Sequence, residues 1–160
     1  MGALKPAHRV ATRLLVAAVC ATVPLLAACG SSGASTDRQI AVSDAWSLAT
    51  VAGQPNGAVY FTITSAAADT LEHVSVPDTV ADHAELHEAV TTANGTGMHE
   101  MTSGVALDAG PAVTFTPGGM YVMLVDLVQP LAVDETFEIK LDFARADPIT
   151  LPVAVVESAP

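Results

Sequence analysis

Thr136-Phe137-Glu138-Ile139-Lys140-Leu141-Asp142-Phe143 alternates without a break, with Phe137, Ile139, Leu141 and Phe143 on one side and Glu138, Lys140 and Asp142 on the other. A period of two is the pattern of a strand with one face buried and one in water. Ala58 to Thr64 repeats it with Val59, Phe61 and Ile63 inward. Ile40 to Trp46, Thr70 to Val76, Ala84 to Val90, Gly97 to Met101, Val113 to Thr116, Tyr121 to Val128 and Ile149 to Val156 extend the set. Turn formers separate these runs: Gly53-Gln54-Pro55-Asn56-Gly57, Asn94-Gly95, Asp108-Ala109-Gly110-Pro111, Pro117-Gly118-Gly119 and Asp147-Pro148. Short strands punctuated in this way predict an all-β antiparallel sandwich or barrel. Ala66-Ala67-Ala68 reads as a turn, and Trp46, Tyr60 and Phe61 are expected in the core.

Toward the N-terminus the pattern changes. Lys5, Arg9 and Arg13 precede a nearly uninterrupted apolar run from Leu14 to Leu26. That run is shorter than the ~20 residues of a spanning helix, so residues 1–28 read as an export signal. Leu26-Ala27-Ala28-Cys29 resembles the bacterial lipobox, which implies that Cys29 is acylated. Residues 29–38 then form an anchor and a Gly/Ser-rich tether, and residues 39–160 a single domain on the outer face of the cell membrane, held there by lipid. Cys20 leaves with the signal, so the mature chain has no thiol pair for a disulfide or a zinc site. Three cations, Arg38, Lys140 and Arg145, face 17 carboxylates, a formal charge of −14. Such a surface repels phosphate, which excludes a nucleic-acid partner and favours a partner with a basic patch.

The chemistry collects between Ala84 and Leu124. Four of the five methionines, Met98, Met101, Met120 and Met123, lie there with His87 and His99. Thioether and imidazole are the donors that monovalent copper prefers, so the cluster predicts a Cu(I) site. Alternation puts Glu85 and His87 on one strand face with His83, Tyr121 with Met123, Met120 with Val122, Met98 with Glu100, and His99 with Met101. A site must therefore draw on three segments, and it is expected at a strand end, open to solvent. Taken singly, a methionine on a strand is more often a core filler and a histidine a surface group. The grouping beside a turn, in a domain with no other methionine, is what raises the metal reading.

His87, ten residues, Met98, and then a Gly-Gly segment ending in Met123-Leu124 resemble the signature of the extracytoplasmic copper chaperones of the PCu(A)C type. Asp44-Ala45-Trp46, Gly57 to Ile63, Asp69-Thr70-Leu71, Ala84 to His87, Pro117-Gly118-Gly119 and Leu127 to Leu131 extend the resemblance over most of the mature chain. It implies a cupredoxin-like, Greek-key β fold that binds Cu(I). It also implies delivery to a copper-accepting protein such as a terminal oxidase subunit with a binuclear site, or another copper chaperone. His87, Met98 and Met123 match ligands of that family. Where the family has the histidine of His-x-Met, this chain has Tyr121, with 22 residues between it and Met98. A neutral phenol is a poor Cu(I) ligand, so the site is either three-coordinate or completed by His99, Met101 or Met120, and Met101 competes with Met98 for the same role.

Two other readings stay open. His83 and His87 with Glu85 and Glu88 form a possible nitrogen and oxygen site for Cu(II) or Zn(II), and the substitution at Tyr121 allows a lipid-anchored adhesion or assembly module with a vestigial site. An enzyme is not expected: the chain has no nucleophile elbow, phosphate loop or His-Glu-x-x-His zinc pair. His73 lies apart from the cluster and reads as a surface or structural residue.

Overall fold

The computed structural model describes residues 39–92 and 95–160; the expected export signal, Cys29 and the expected tether lie outside the described residues. Ten strands follow one another: β1 Ile40–Leu48, β2 Gly57–Ser65, β3 Asp69–Ser75, β4 Ala81–Thr92, β5 Gly95–Glu100, β6 Val105–Leu107, β7 Ala112–Thr114, β8 Met120–Leu127, β9 Thr136–Phe143 and β10 Ile149–Val156. Among the described residues there is no helix. The strands pair in the order β5-β4-β8-β2-β1-β10-β9-β3-β6, with β7 added to β2. The nine expected strands are present. The tenth, β6, carries only Val-Ala-Leu, too few residues for an alternation to declare itself in the sequence.

Among the described strands every pairing is antiparallel except β1 with β10, where Trp46 to Leu48 run alongside Ala154 to Val156. The sheet is therefore mixed and does not close on itself. One side of it holds the core: Val59, Phe61 and Ile63 of β2, Leu86 of β4, Val122 and Leu124 of β8, Ile139 and Leu141 of β9, and Val153 and Val155 of β10. Phe61 stacks on Phe115 with ring centroids 4.3 Å apart. Each such apolar side chain contributes about 1.5–3 kcal/mol when fully buried, and all of them come from the described domain, which carries its own core.

Two local features shape the sheet. At β1 the register slips between Ser43 and Trp46, and Asp44 takes a left-handed φ of 55°. This bulge inserts a residue and reverses the faces beyond it. Val42 opposes Ile63 on the core side, whereas Trp46 opposes Tyr60 on the outer side. Of the three aromatic residues expected in the core, Phe61 lies in the main cluster and Tyr60 is buried on the other face of β2, where its ring meets that of the half-buried Trp46 at 4.5 Å, tilted by 38°. Where the chain crosses from β5 to β6, Gly104 has φ +74°, and a Cβ there would stand 2.5 Å from Leu71 O, so only glycine fits the crossing. Nearby, the buried Asp69 carboxylate accepts from the backbone N–H groups of Thr70, Arg145 and Ala146 and ties β3 to the turn after β9.

Candidate metal centre

β4 runs between β5 and β8: β8 pairs with its first part, Ala81 to Glu88, and β5 with its second, His87 to Thr92, so His87 and Glu88 have a partner on both sides. His87 lies opposite Glu100 on β5 and Tyr121 on β8; Glu85 lies opposite Met123; Ala89 lies opposite Met98. Directly paired residues share a face, so His87, Tyr121, Met123, Met98, Glu85 and Glu100 all stand on the outer side. Met98 and Met123 occupy the two diagonal positions beside His87, one on each neighbouring strand, within the span that long side chains bridge. The cluster lies on the face of the sheet, beside the start of β8 and the middle of β4.

His87 is nearly sealed, 8% exposed. Its Nε2 lies 2.8 Å from Glu85 Oε2, while Nδ1 is buried and has no hydrogen-bond partner. The Tyr121 ring lies 5.7 Å from that of His87, and its hydroxyl is likewise buried without a partner. A buried polar atom left unsatisfied costs about 1–3 kcal/mol. Two of them on facing residues mark a place where a further group is accommodated. Met98, 69% exposed, and the half-buried Met123 line one open groove of about 450 Å³ together with Tyr121, Tyr60 and Leu48.

Charge is concentrated on the same face. Glu85 Oε1 lies 3.0 Å from His83 Nε2, and His83 Nδ1 lies 2.9 Å from Asp82 Oδ2. Hydrogen bonds from His87 and then His83 hold the Glu85 carboxyl below the usual carboxylate range. Those to Asp82 and Glu85 hold His83 above the usual imidazole value. Burial raises the Tyr121 phenol, and burial followed by the neighbouring Tyr121 raises Tyr60, so both stay protonated at neutral pH.

The other sulfur and nitrogen candidates lie on the opposite side. Met120 opposes Glu88, which opposes His99, and Met101 N donates to Leu86 O. Met101 and Met120 pack against the core, while His99 is exposed. The structure therefore brings His87, Met98 and Met123 together and turns His99, Met101 and Met120 away from them. It also separates the nitrogen and oxygen set: Glu88 is on the wrong face, and Glu85 fills the space between His83 and His87. Among the described residues no three His, Cys, Asp or Glu are grouped to hold a metal ion. His73 is exposed on β3, as expected. What residue-by-residue reading missed is the Glu85–His87 hydrogen bond, whose only signal is the spacing of two on a strand, and the place of Tyr60 in the same groove, which follows from the β2–β8 pairing.

Comparison with known proteins bears on the fold and the family. The chain is 34% identical to lipoprotein Lxx21020 of Leifsonia xyli subsp. xyli over 149 residues, covering 93% of this chain and 86% of that protein. The copper-bound PCuAC domain of PmoF2 superposes with a TM-score of 0.60 at 24% identity, over 74% of this chain and 93% of that domain. The apo PCuAC domain of PmoF1 gives 0.59 at 26% identity, over 76% and 94%. Apo-DR1885 from Deinococcus radiodurans gives 0.57 at 24%, over 99% and 97%. The fold is the cupredoxin-like β fold of PCuAC domains, and residues 40–155 match the LpqE-like lipoproteins, so the chain belongs to the LpqE-like lipoprotein family.

Proposed function

We propose that this protein is a Cu(I) carrier, tethered outside the cell membrane by lipid on Cys29, that hands its ion to a copper-accepting protein. The observation that carries the reading is the division of the methionines. Met101 and Met120 pack against the core, whereas Met98 and Met123 stand outside it on the face where His87 Nδ1 is buried and unsatisfied. An imidazole nitrogen with two thioethers is a soft, neutral donor set. It suits Cu(I) and gives little stabilisation to hard dications. The three residues fit the ion as cargo: His87 is the fixed, sealed donor, and Met98 is the exposed one, open to exchange with an acceptor's ligands. The relatives' fold supports the same reading, since PmoF2 has a copper-bound form and DR1885 a Cu(I) form. A subunit that houses a binuclear copper site in a terminal oxidase, or a second copper chaperone, is the acceptor we favour.

The test is an anaerobic Cu(I) competition titration of residues 30–160 against a chromophoric chelator, with His87→Ala and Met123→Ala alongside. One tight equivalent that weakens at least about tenfold, ~1.4 kcal/mol, in both variants is expected. Unchanged affinity in both removes the assigned site. No competition by the parent favours the second reading, an adhesion or assembly module, for which Tyr121 at the family's histidine position is the supporting observation.

A further inference from the structure

Glu85 stands two residues before His87 on β4, on the same outer face, and each of its carboxylate oxygens meets one imidazole. Oε2 lies 2.8 Å from His87 Nε2, and Oε1 lies 3.0 Å from His83 Nε2. His83 is itself held at its other nitrogen by Asp82 Oδ2, 2.9 Å from Nδ1. An ionised carboxylate only accepts, so the imidazole nitrogen facing it carries the proton. For His87 that places hydrogen on Nε2. The lone pair is left on Nδ1, the buried atom without a hydrogen-bond partner.

We propose that Glu85 is a positioning residue for His87: it fixes the ring in the Nε2–H form and orientation, and so makes Nδ1 the nitrogen offered to a soft metal ion. The metal half of this inference rests on the copper reading; the ring assignment does not. Two features favour Glu85 over Glu100, the other acid facing His87 across a strand pair. Only Glu85 makes the hydrogen bond, and only Glu85 is braced from its far side, by the His83–Asp82 pair. A carboxylate accepting from the remote N–H also raises the basicity of the ligating nitrogen, and loss of such partners typically costs 10–100-fold in metal affinity. Glu85 is thus kept out of the ligand set by its own geometry, since both oxygens are already engaged.

The experiment has two readouts on residues 30–160. In the metal-free protein at about pH 8, above the usual imidazole range near ~6.5, a long-range proton–nitrogen NMR spectrum assigns the His87 ring and detects its Nε2 proton. The parent is expected to show a bonded, exchange-protected proton on Nε2, lost in Glu85→Ala and retained in Glu85→Gln, whose amide oxygen still accepts. In the Cu(I) titration, Glu85→Ala is expected to bind about 10–100-fold more weakly and Glu85→Gln to stay near the parent. A proton found on Nδ1 of the parent overturns the assignment. A normal Cu(I) affinity in Glu85→Ala, or a Glu85→Gln variant as weak as it, overturns the positioning role. If the parent binds no Cu(I), the proposed function and the metal half fall together, while the ring assignment is decided in the metal-free spectrum.

Discussion

On the inner face of the β5–β4–β8 sheet, Leu86, Val122 and Leu124 are sealed in the core, and Met101 and Met120 pack against them. On the outer face, one residue along each strand, Met98 stands in water and Met123 lines a groove beside His87. The same side chain thus serves two purposes a strand's thickness apart. Inside, a flexible thioether fills irregular space among other apolar groups. Outside, its burial value is largely forgone, and what remains is the polarizable lone pair. The difference teaches that the number of methionines is a weak guide to the site and that their parity along the strand is a strong one.

That separation predicts opposite consequences for substitutions on the two faces. Leu124→Ala opens a cavity at a fully buried inner position and is expected to cost about 2–5 kcal/mol in urea unfolding, with the Cu(I) affinity of the folded protein unchanged. Met98→Leu is the converse. Its stability should stay within about 0.5 kcal/mol, while Cu(I) affinity falls about tenfold or more, ~1.4 kcal/mol. Met120→Leu, on the inner side, should cost under ~1.5 kcal/mol of stability and nothing in affinity. A Met120 variant that loses copper would break the comparison, because it would mean that the inner face reaches the site.

Tyr121→His sharpens the comparison further. Tyr121 sits opposite His87, with its hydroxyl buried and unsatisfied, at the position where the copper chaperones resembled by this chain carry a histidine. An imidazole there adds a donor on the same face as Met98 and Met123. The expected outcome is tighter Cu(I) binding by about tenfold, ~1.4 kcal/mol, read in the same competition titration. Unchanged affinity would place position 121 outside coordination range and leave the site with three protein donors.

The face assignments were legible in the sequence because a strand has a period of two: Tyr121 with Met123, Met120 with Val122, and Glu85 with His87 each lie together as alternation requires. Which face is the core was less legible, since Tyr121, Met123 and Val125 are as apolar as Met120, Val122 and Leu124. Only the covering layer decides it. Trp46 reads as a core residue because nothing in Ser43-Asp44-Ala45 announces a bulge; Asp44 tolerates the left-handed region with no glycine to signal it, whereas the face of Tyr60 follows from its place between Val59 and Phe61 on β2. The parallel β1–β10 pairing joins the two ends of the domain, and no local pattern encodes a contact of that sequence separation. The fourth ligand stayed open for a related reason. His99, Met101 and Met120 are near Met98 or Met123 in sequence, and adjacency along a strand places side chains on opposite sides.

The smallest effect expected is in the pH dependence of the metal-free protein, and it too belongs to one face. His83 has its imidazole raised by hydrogen bonds to Asp82 and Glu85, so the folded state holds that proton more tightly than the unfolded chain. The stabilisation is fully present below the unfolded value near ~6.5 and fades as pH rises through the higher folded value. Glu85 is shifted the other way by its bonds from His87 and His83. Its contribution is present above the usual carboxylate range and fades as pH falls through the lowered folded value. Thermal melts from acid to mildly alkaline pH should therefore show a shallow fall on each side of a mildly acidic plateau, between the usual carboxylate range and ~6.5. His83→Gln should flatten the alkaline side, and Glu85→Gln should reduce the acid side. An alkaline slope that persists in His83→Gln would show that the Asp82–His83–Glu85 chain is too exposed to matter for folding, leaving its role to the orientation of His87 alone.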